Sequence, residues 1–164
     1  MDLLDRLLEH DLWTTRQLLL ACQSLPDELL DKEFDIDHIT LRETFLHMIA
    51  NMEVWTDLLY ERKVDYKTGS TIPELLERLN RAGKDFADFS RKIAREGRYD
   101  DFFVDTLDKP PKKKTYGGAI GHVLTHDMHH RAQIMFLMEK VGLKDHIEGD
   151  LLSWEGMQHD HPRD

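Results

Sequence analysis

The sequence predicts an all-α fold, a four-helix bundle with one long crossover connection between its third and fourth helices. Three observations predict it. Apolar residues recur at three- and four-residue steps in four long segments, capping signals open two of those segments, and the few β-branched clusters do not make a sheet. Four helices of this length joined by one or two long connections suit a bundle better than a layered fold. With 164 residues and no internal repeat, the chain is long enough for a continuous core, and residues 1–164 are read as a single bundle domain.

Helix one runs from Asp2 to about Ser24, where Leu4, Leu7, Leu8, Leu18, Leu19 and Cys22 form the apolar stripe. Leu25 and Pro26 interrupt it, and Asp27 to Ile39 reads as a connection with a short helical turn. Thr40 to Glu43 has a capping-box pattern that opens helix two, which continues to about Arg62. A polar stretch containing Gly69 follows. Thr71 to Glu74, with Pro73 in the first turn, opens helix three, and Gly97 supplies its left-handed stop. Arg98 to Tyr116 lacks a helical period, carries Pro110 and Pro111, and is long enough to be a crossover or a lid. Helix four begins at Gly117 or Gly118 and runs to Val141, before Gly142. The tail to Asp164 is mixed, and Trp154 is expected to pack back on the bundle.

Charge and composition narrow the function. Lys and Arg total 22 against 32 Asp and Glu, a net charge of -10 that argues against nucleic-acid and anionic-membrane partners. Cys22 is the only cysteine, which excludes an intramolecular disulfide and a thiolate zinc cluster and fits a reducing, cytoplasmic setting. The opening residues lack a secretory pattern, and no uncharged apolar run approaches a membrane span. Apolar residues on helices one and two, Trp13 and Trp55 among them, exceed a single narrow stripe, so a homodimer is expected.

Ten histidines stand out, four of them between His122 and His130. Residues four apart on a helix lie nearly above one another, so His126 and His130 can point two imidazoles at one ion. His122 extends the same row, whereas His129 lies about 100° around from His130. Spacing alone leaves two readings of this cluster, a ligand pair or a solvated polar face. His47, set among Phe45, Leu46, Met48 and Ile49, is either a third ligand or a core histidine hydrogen-bonded to a carbonyl or carboxylate.

Three segments resemble the DinB family, metal-binding four-helix-bundle proteins named after damage-inducible genes. Glu9 to Trp13 with Leu18 and Leu19 is similar to its opening helix. Leu41 to Met48, with Trp55 eight residues after His47, is similar to its second. Thr125 to Ile134 is the most specific match, although Ala132 stands where the family usually has Gly. The resemblance implies that His47, His126 and His130 are the metal ligands and that His122 and His129 are bystanders. It also implies a divalent ion, with zinc or nickel ahead of iron or another first-row metal. His10 is read as facing either the bundle interior or the surface, and Arg131 and Gln133 as scaffold residues tying helix four to its neighbours.

Three neutral imidazoles leave an ion its full charge, which acidifies a bound water or holds a bound thiol as thiolate. The family contains transferases and isomerases that use low-molecular-weight thiols, and metal-dependent hydrolases. The resemblance therefore implies a metalloenzyme acting on a small-molecule substrate. Glu43, one turn before His47, is the candidate general base, although its cap position explains it equally. Asn51, one turn after His47, is a candidate for orienting a ligand. The other class of function is a metal-stabilised bundle that acts as a binding or dimerisation module. A di-iron site needs Glu-x-x-His pairs, which the chain lacks.

Overall fold

The computed structural model describes residues 1–34 and 39–160. Residues 35–38, inside the expected connection, and 161–164, the end of the expected tail, lie outside the described residues. In chain order the elements are α1 (Leu3–Ala21), α2 (Asp27–Leu30), α3 (Leu41–Leu59), α4 (Ile72–Glu96), β1 (Phe102–Asp105), β2 (Lys112–Thr115), α5 (Tyr116–Lys140) and α6 (Leu151–Asp160). The four long helices are the four that the periodicity predicts, and a short 3₁₀ turn, Cys22–Ser24, prolongs the first.

The helix ends follow local chemistry. The Asp2 carboxylate accepts the Asp5 amide at 2.8 Å, and the Thr115 hydroxyl accepts that of Gly118 at 3.1 Å, each satisfying an orphan donor of a first turn. Thr71 and Glu74 form the full reciprocal box. Thr40 completes only half of one: its hydroxyl accepts the Glu43 amide at 3.1 Å, while the Glu43 carboxylate meets that same hydroxyl at 3.2 Å. Gly97 ends α4 at φ 65°, a conformation that costs a Cβ-bearing residue steric strain.

α3 packs against both α4 and α5, and α1 closes the bundle against the same two helices. The core lies in two adjoining layers. Leu19, Phe45, Ile49, Leu75 and Ile134 belong to one, and Met52, Phe86, Phe103, Tyr116 and Val123 to the other. Charged groups reinforce two seams. Arg78 reaches from α4 to both carboxylate oxygens of Glu53 on α3, at 3.0 and 2.7 Å, and to the Gly69 carbonyl at 2.6 Å. Arg131 of α5 donates to the buried Asp11 carboxylate of α1, which bears out its expected role as a tie.

The crossover corrects the expectation that no sheet forms. β1 and β2 pair antiparallel, with Phe102 opposite Thr115 and Asp105 opposite Lys112. Alternation drives it: Phe103 and Asp105 turn inward while Phe102 and Val104 face out, the period-2 pattern of a half-buried strand. Phe103 stacks on Tyr116 at 5.6 Å and meets Trp55 edge-on at 6.3 Å, so the hairpin is pinned to α3 and α5. The buried Asp105 also holds Lys114 at 2.5 Å. Trp154 is buried, as expected, and lies edge-on to His10 at 6.0 Å.

Candidate metal centre

The helix-four spacing puts His126 and His130 one turn apart on α5, and the α3–α5 packing brings His47 opposite them. Nε2 of His126 lies 3.0 Å from Nε2 of His47 and 3.1 Å from Nε2 of His130. All three residues offer ligand atoms within 4.8 Å of one another. Ligands at ~2.0–2.1 Å from one ion stand about 2.9 Å apart at right angles and about 3.3 Å apart in a tetrahedron, and the observed spacings fall between these values. Among the described residues these three histidines form the one group of His, Cys, Asp and Glu side chains that could hold an ion, and no fourth such side chain joins it.

His47 is exposed and His126 and His130 are half-buried, and partial desolvation is the first cause that holds all three rings below the usual histidine pKa. For His47 the neighbouring His126 adds to that effect, for His126 the neighbouring His129, and for His130 both His126 and His47, against an opposing contribution from Gln133. The neutral form is the ligating form, so the surroundings of the three rings favour the state that a divalent ion needs.

Hydrogen bonds at the far ring nitrogens set which nitrogen is free. Nδ1 of His130 lies 2.6 Å from Oε1 of the Gln133 side-chain amide, an acceptor, so that nitrogen carries the proton and Nε2 presents its lone pair. Gln133 thus orients a ligand on its own helix. The sequence offered the signal, a carbonyl three residues after His130, but scaffold tying was the role assigned to it. Nδ1 of His126 has two partners, the Asp127 carboxylate at 3.3 Å and the Asn51 amide at 3.2 Å. Asn51 also accepts the Trp55 indole N–H at 3.1 Å. Asp127 is buried on α5 beside Asp11, and burial first pushes both carboxyls up to about 7.

The other candidates stand apart from the three nitrogens. His122 lies 5.5 Å from the His126 ring and edge-on to Trp55 at 5.1 Å, and His129 is exposed, 5.1 Å from the His130 ring. His10 is buried on α1, with Nε2 on the Gly149 carbonyl at 2.9 Å, which decides between its two readings. Glu43 is exposed at the start of α3, with its carboxylate on Thr40. Trp55 stands edge-on to Phe103 of the hairpin, and Lys114 lies 5.0 Å from the indole ring.

Fold and site together define an all-α bundle with a three-histidine group suited to one divalent ion. The chain belongs to the DinB family, whose sequence profile matches residues 1–155. A crystal structure of a DinB-like protein from Bacillus cereus ATCC 10987 has the same fold, with a TM-score of 0.62 and 17% identity over 82% of this chain and 87% of that one. No curated protein matches. None of the described helices is long and apolar enough to cross a membrane.

Proposed function

We propose that this DinB-family chain is a metalloenzyme that activates water or a low-molecular-weight thiol against a small electrophilic substrate. One observation carries the reading: three imidazole nitrogens from two helices converge at ligand spacing, with no fourth His, Cys, Asp or Glu side chain joining them among the described residues. Three protein ligands with a remaining position are the pattern of catalytic rather than structural zinc sites.

A divalent ion held there supplies the charge that lowers the pKa of bound water or keeps a thiol ionised. His47, His126 and His130 are the holders, with zinc or nickel ahead of iron or another first-row ion. Gln133 fixes the His130 tautomer. Glu43 serves as base only by leaving the Thr40 hydroxyl, so Glu43→Gln separates its two roles through turnover and melting temperature. A homodimer and a cytoplasmic setting belong to the same proposal. The half-buried Trp55 beneath the hairpin accounts for part of the apolar surplus on which the dimer rests, and sedimentation at micromolar concentration decides whether the remainder is an interface.

The test is elemental analysis of untagged protein purified without chelator, followed by a thiol panel with an electrophilic substrate. The expected result is one ion per chain and thiol- or water-dependent turnover that His126→Ala abolishes. A bound ion without turnover under any thiol makes the bundle a binding or dimerisation module instead. Absence of a bound first-row ion after metal addition overturns both readings.

A further inference from the structure

Beyond α5 the chain turns at Gly142 and runs back over α1 as residues 143–160. Gly142 has φ 91°, which a Cβ-bearing residue rarely adopts, and nothing lies within 4 Å of the place its Cβ would take. α6 forms its first turn from its own flank, because the Asp150 carboxylate accepts the Leu152 and Ser153 amides at 2.9 and 3.0 Å. The segment is thus locally self-sufficient and hinged at a bare glycine.

Its attachment is thin. Trp154 is the anchor, 1% exposed yet outside both core layers, while Leu143 and Ile147 lean on the first layer and stay half-buried. Two polar ties reach α1: Nε2 of His10 donates to the Gly149 carbonyl at 2.9 Å, and Arg6 holds Glu155 at 2.6 Å between partly exposed side chains.

The seat is also chemically incomplete. Among the described residues three buried side-chain atoms have no hydrogen-bond partner, Trp154 Nε1, His146 Nε2 and Thr14 Oγ1. All three belong to this segment or to the helix beneath it: Thr14 is on α1, its methyl 3.9 Å from where a Gly149 Cβ would stand. His146 at least faces the Glu139 carboxylate at 3.6 Å. The indole N–H and the hydroxyl have almost no surface that water can touch, so each gains a partner only when the segment lifts.

We propose that residues 143–160 are a strap that opens and closes as one unit about Gly142 while the four long helices stay folded. Closed, the strap supplies Ile147, Gly149 and Leu151 as one wall of a cavity of about 790 Å³, with Leu7 of α1 and Met128 and Met135 of α5 on the other walls. Open, it returns Trp154, His146 and Thr14 to water and bares that apolar face. One large side chain and two polar ties hold it against three unpartnered groups, whereas the long helices share two apolar layers. The strap is therefore the first unit of the fold to open.

The test is native-state hydrogen exchange of the full chain, resolved by NMR and repeated at low urea. Amides from Leu152 to Gln158 are expected to share one opening constant, at least a hundredfold larger than that of α3 and α4, with a smaller urea dependence because less surface is exposed. Thr14→Val keeps the side chain's shape and removes the unpartnered hydroxyl, so it should slow strap exchange roughly fivefold or more. Trp154→Ala should bring the strap to within about tenfold of an unstructured peptide while α3 and α4 keep their protection. The proposal is overturned if strap amides exchange only with global unfolding, or if protection falls off gradually toward the C-terminus as simple fraying. Unchanged or faster strap exchange in Thr14→Val, or loss of α3 and α4 protection in Trp154→Ala, would overturn it equally.

Discussion

The side-chain amide of Asn51 stands 3.2 Å from Nδ1 of His126 while its own carbonyl oxygen accepts the Trp55 indole N–H at 3.1 Å. An indole N–H can only donate, so Trp55 fixes which end of the amide faces His126. The NH₂ end facing Nδ1 needs a lone pair there, which places the His126 proton on Nε2, the atom that points at His47 and His130. The Asp127 carboxylate, at 3.3 Å, draws the proton the other way and frees Nε2 for a metal.

Trp55→Phe should therefore release the Asn51 amide to turn its oxygen toward Nδ1 and favour the ligating tautomer. Metal affinity should rise by roughly three- to tenfold, since partners of this kind shift affinity by about 10- to 100-fold when removed outright. Competition against a chelating indicator at fixed pH measures it. A fall in affinity of similar size would assign Trp55 to supporting the metal instead.

Metal should stabilise the wild type through the folded state alone. At a free concentration about 100 times the Kd the gain is about 2.7 kcal/mol, or roughly 5–10 °C in Tm for a chain of this size. His126→Ala should lose that increment yet remain helical without metal, because the core is apolar. Paired melting curves decide it. Equal shifts in the two proteins remove His126 from the site, and collapse of the metal-free chain makes the ion structural.

Acid should destabilise the metal-free protein through its histidines. The folded-state pKa values of His10, His47, His126 and His130 are lowered, chiefly by burial. The stability they contribute is present above the unfolded value near ~6.5 and is lost as pH falls through the folded values. A His47→Gln, His126→Gln double variant should lose less stability than wild type between pH 7 and pH 5 in urea unfolding. A parallel pH dependence in the two proteins would exclude these rings as its source.

The Asp11–Asp127 pair should act in the opposite sense. Both carboxyls are pushed up to about 7, so the folded pair keeps a proton that the unfolded chain has released above ~4. This contribution is greatest below the unfolded value and fades as pH rises from ~4 to about 7. Asp11→Asn, which holds its hydrogens at every pH, should flatten that decline. An unchanged profile would mean that the Arg131 charge already keeps both carboxyls ionised.

On the α3–α4 seam, Arg78→Ala should cost about 3–5 kcal/mol, because it leaves the Glu53 carboxylate without its guanidinium in a largely buried position. Arg78→Met together with Glu53→Leu should recover most of that loss. Chemical denaturation of the single and double variants measures the coupling, and additive losses would show that the two side chains do not interact energetically.

The helices were legible wherever a local signal was complete. Thr71 and Glu74 satisfy each other's orphan groups in the structure, as their spacing predicted, and Gly97 takes the left-handed turn that stops α4. The hairpin was missed because each strand has only four residues and Arg98 to Tyr116 read only as an aperiodic crossover or lid. Its signal was the alternation through Phe102, Phe103, Val104 and Asp105, too short to outweigh the two prolines beside it. The His126–His130 pair came from helical spacing, whereas joining His47 to it needed a family resemblance, because no local pattern relates residues on different helices. The cavity lined by Leu7, Met128 and Ile147 was beyond reach for the same reason: it exists only where three distant segments meet.

His47 and His126 are 79 residues apart in sequence and touch across one helix interface. An ion shared by them is a reversible cross-link around a loop containing all of α4 and the hairpin. By the chain-entropy relation for cross-links, closing a loop of that length takes about 4–5 kcal/mol of freedom from the unfolded chain. His126 and His130, by contrast, need only one helical turn to come together. The pair on α5 can therefore capture an ion while the rest of the chain is still unfolded, and capture by His47 becomes the event that reports completed topology. Chelation should consequently loosen the α3–α5 seam first, and hydrogen exchange there should be the earliest sign that the clasp has opened.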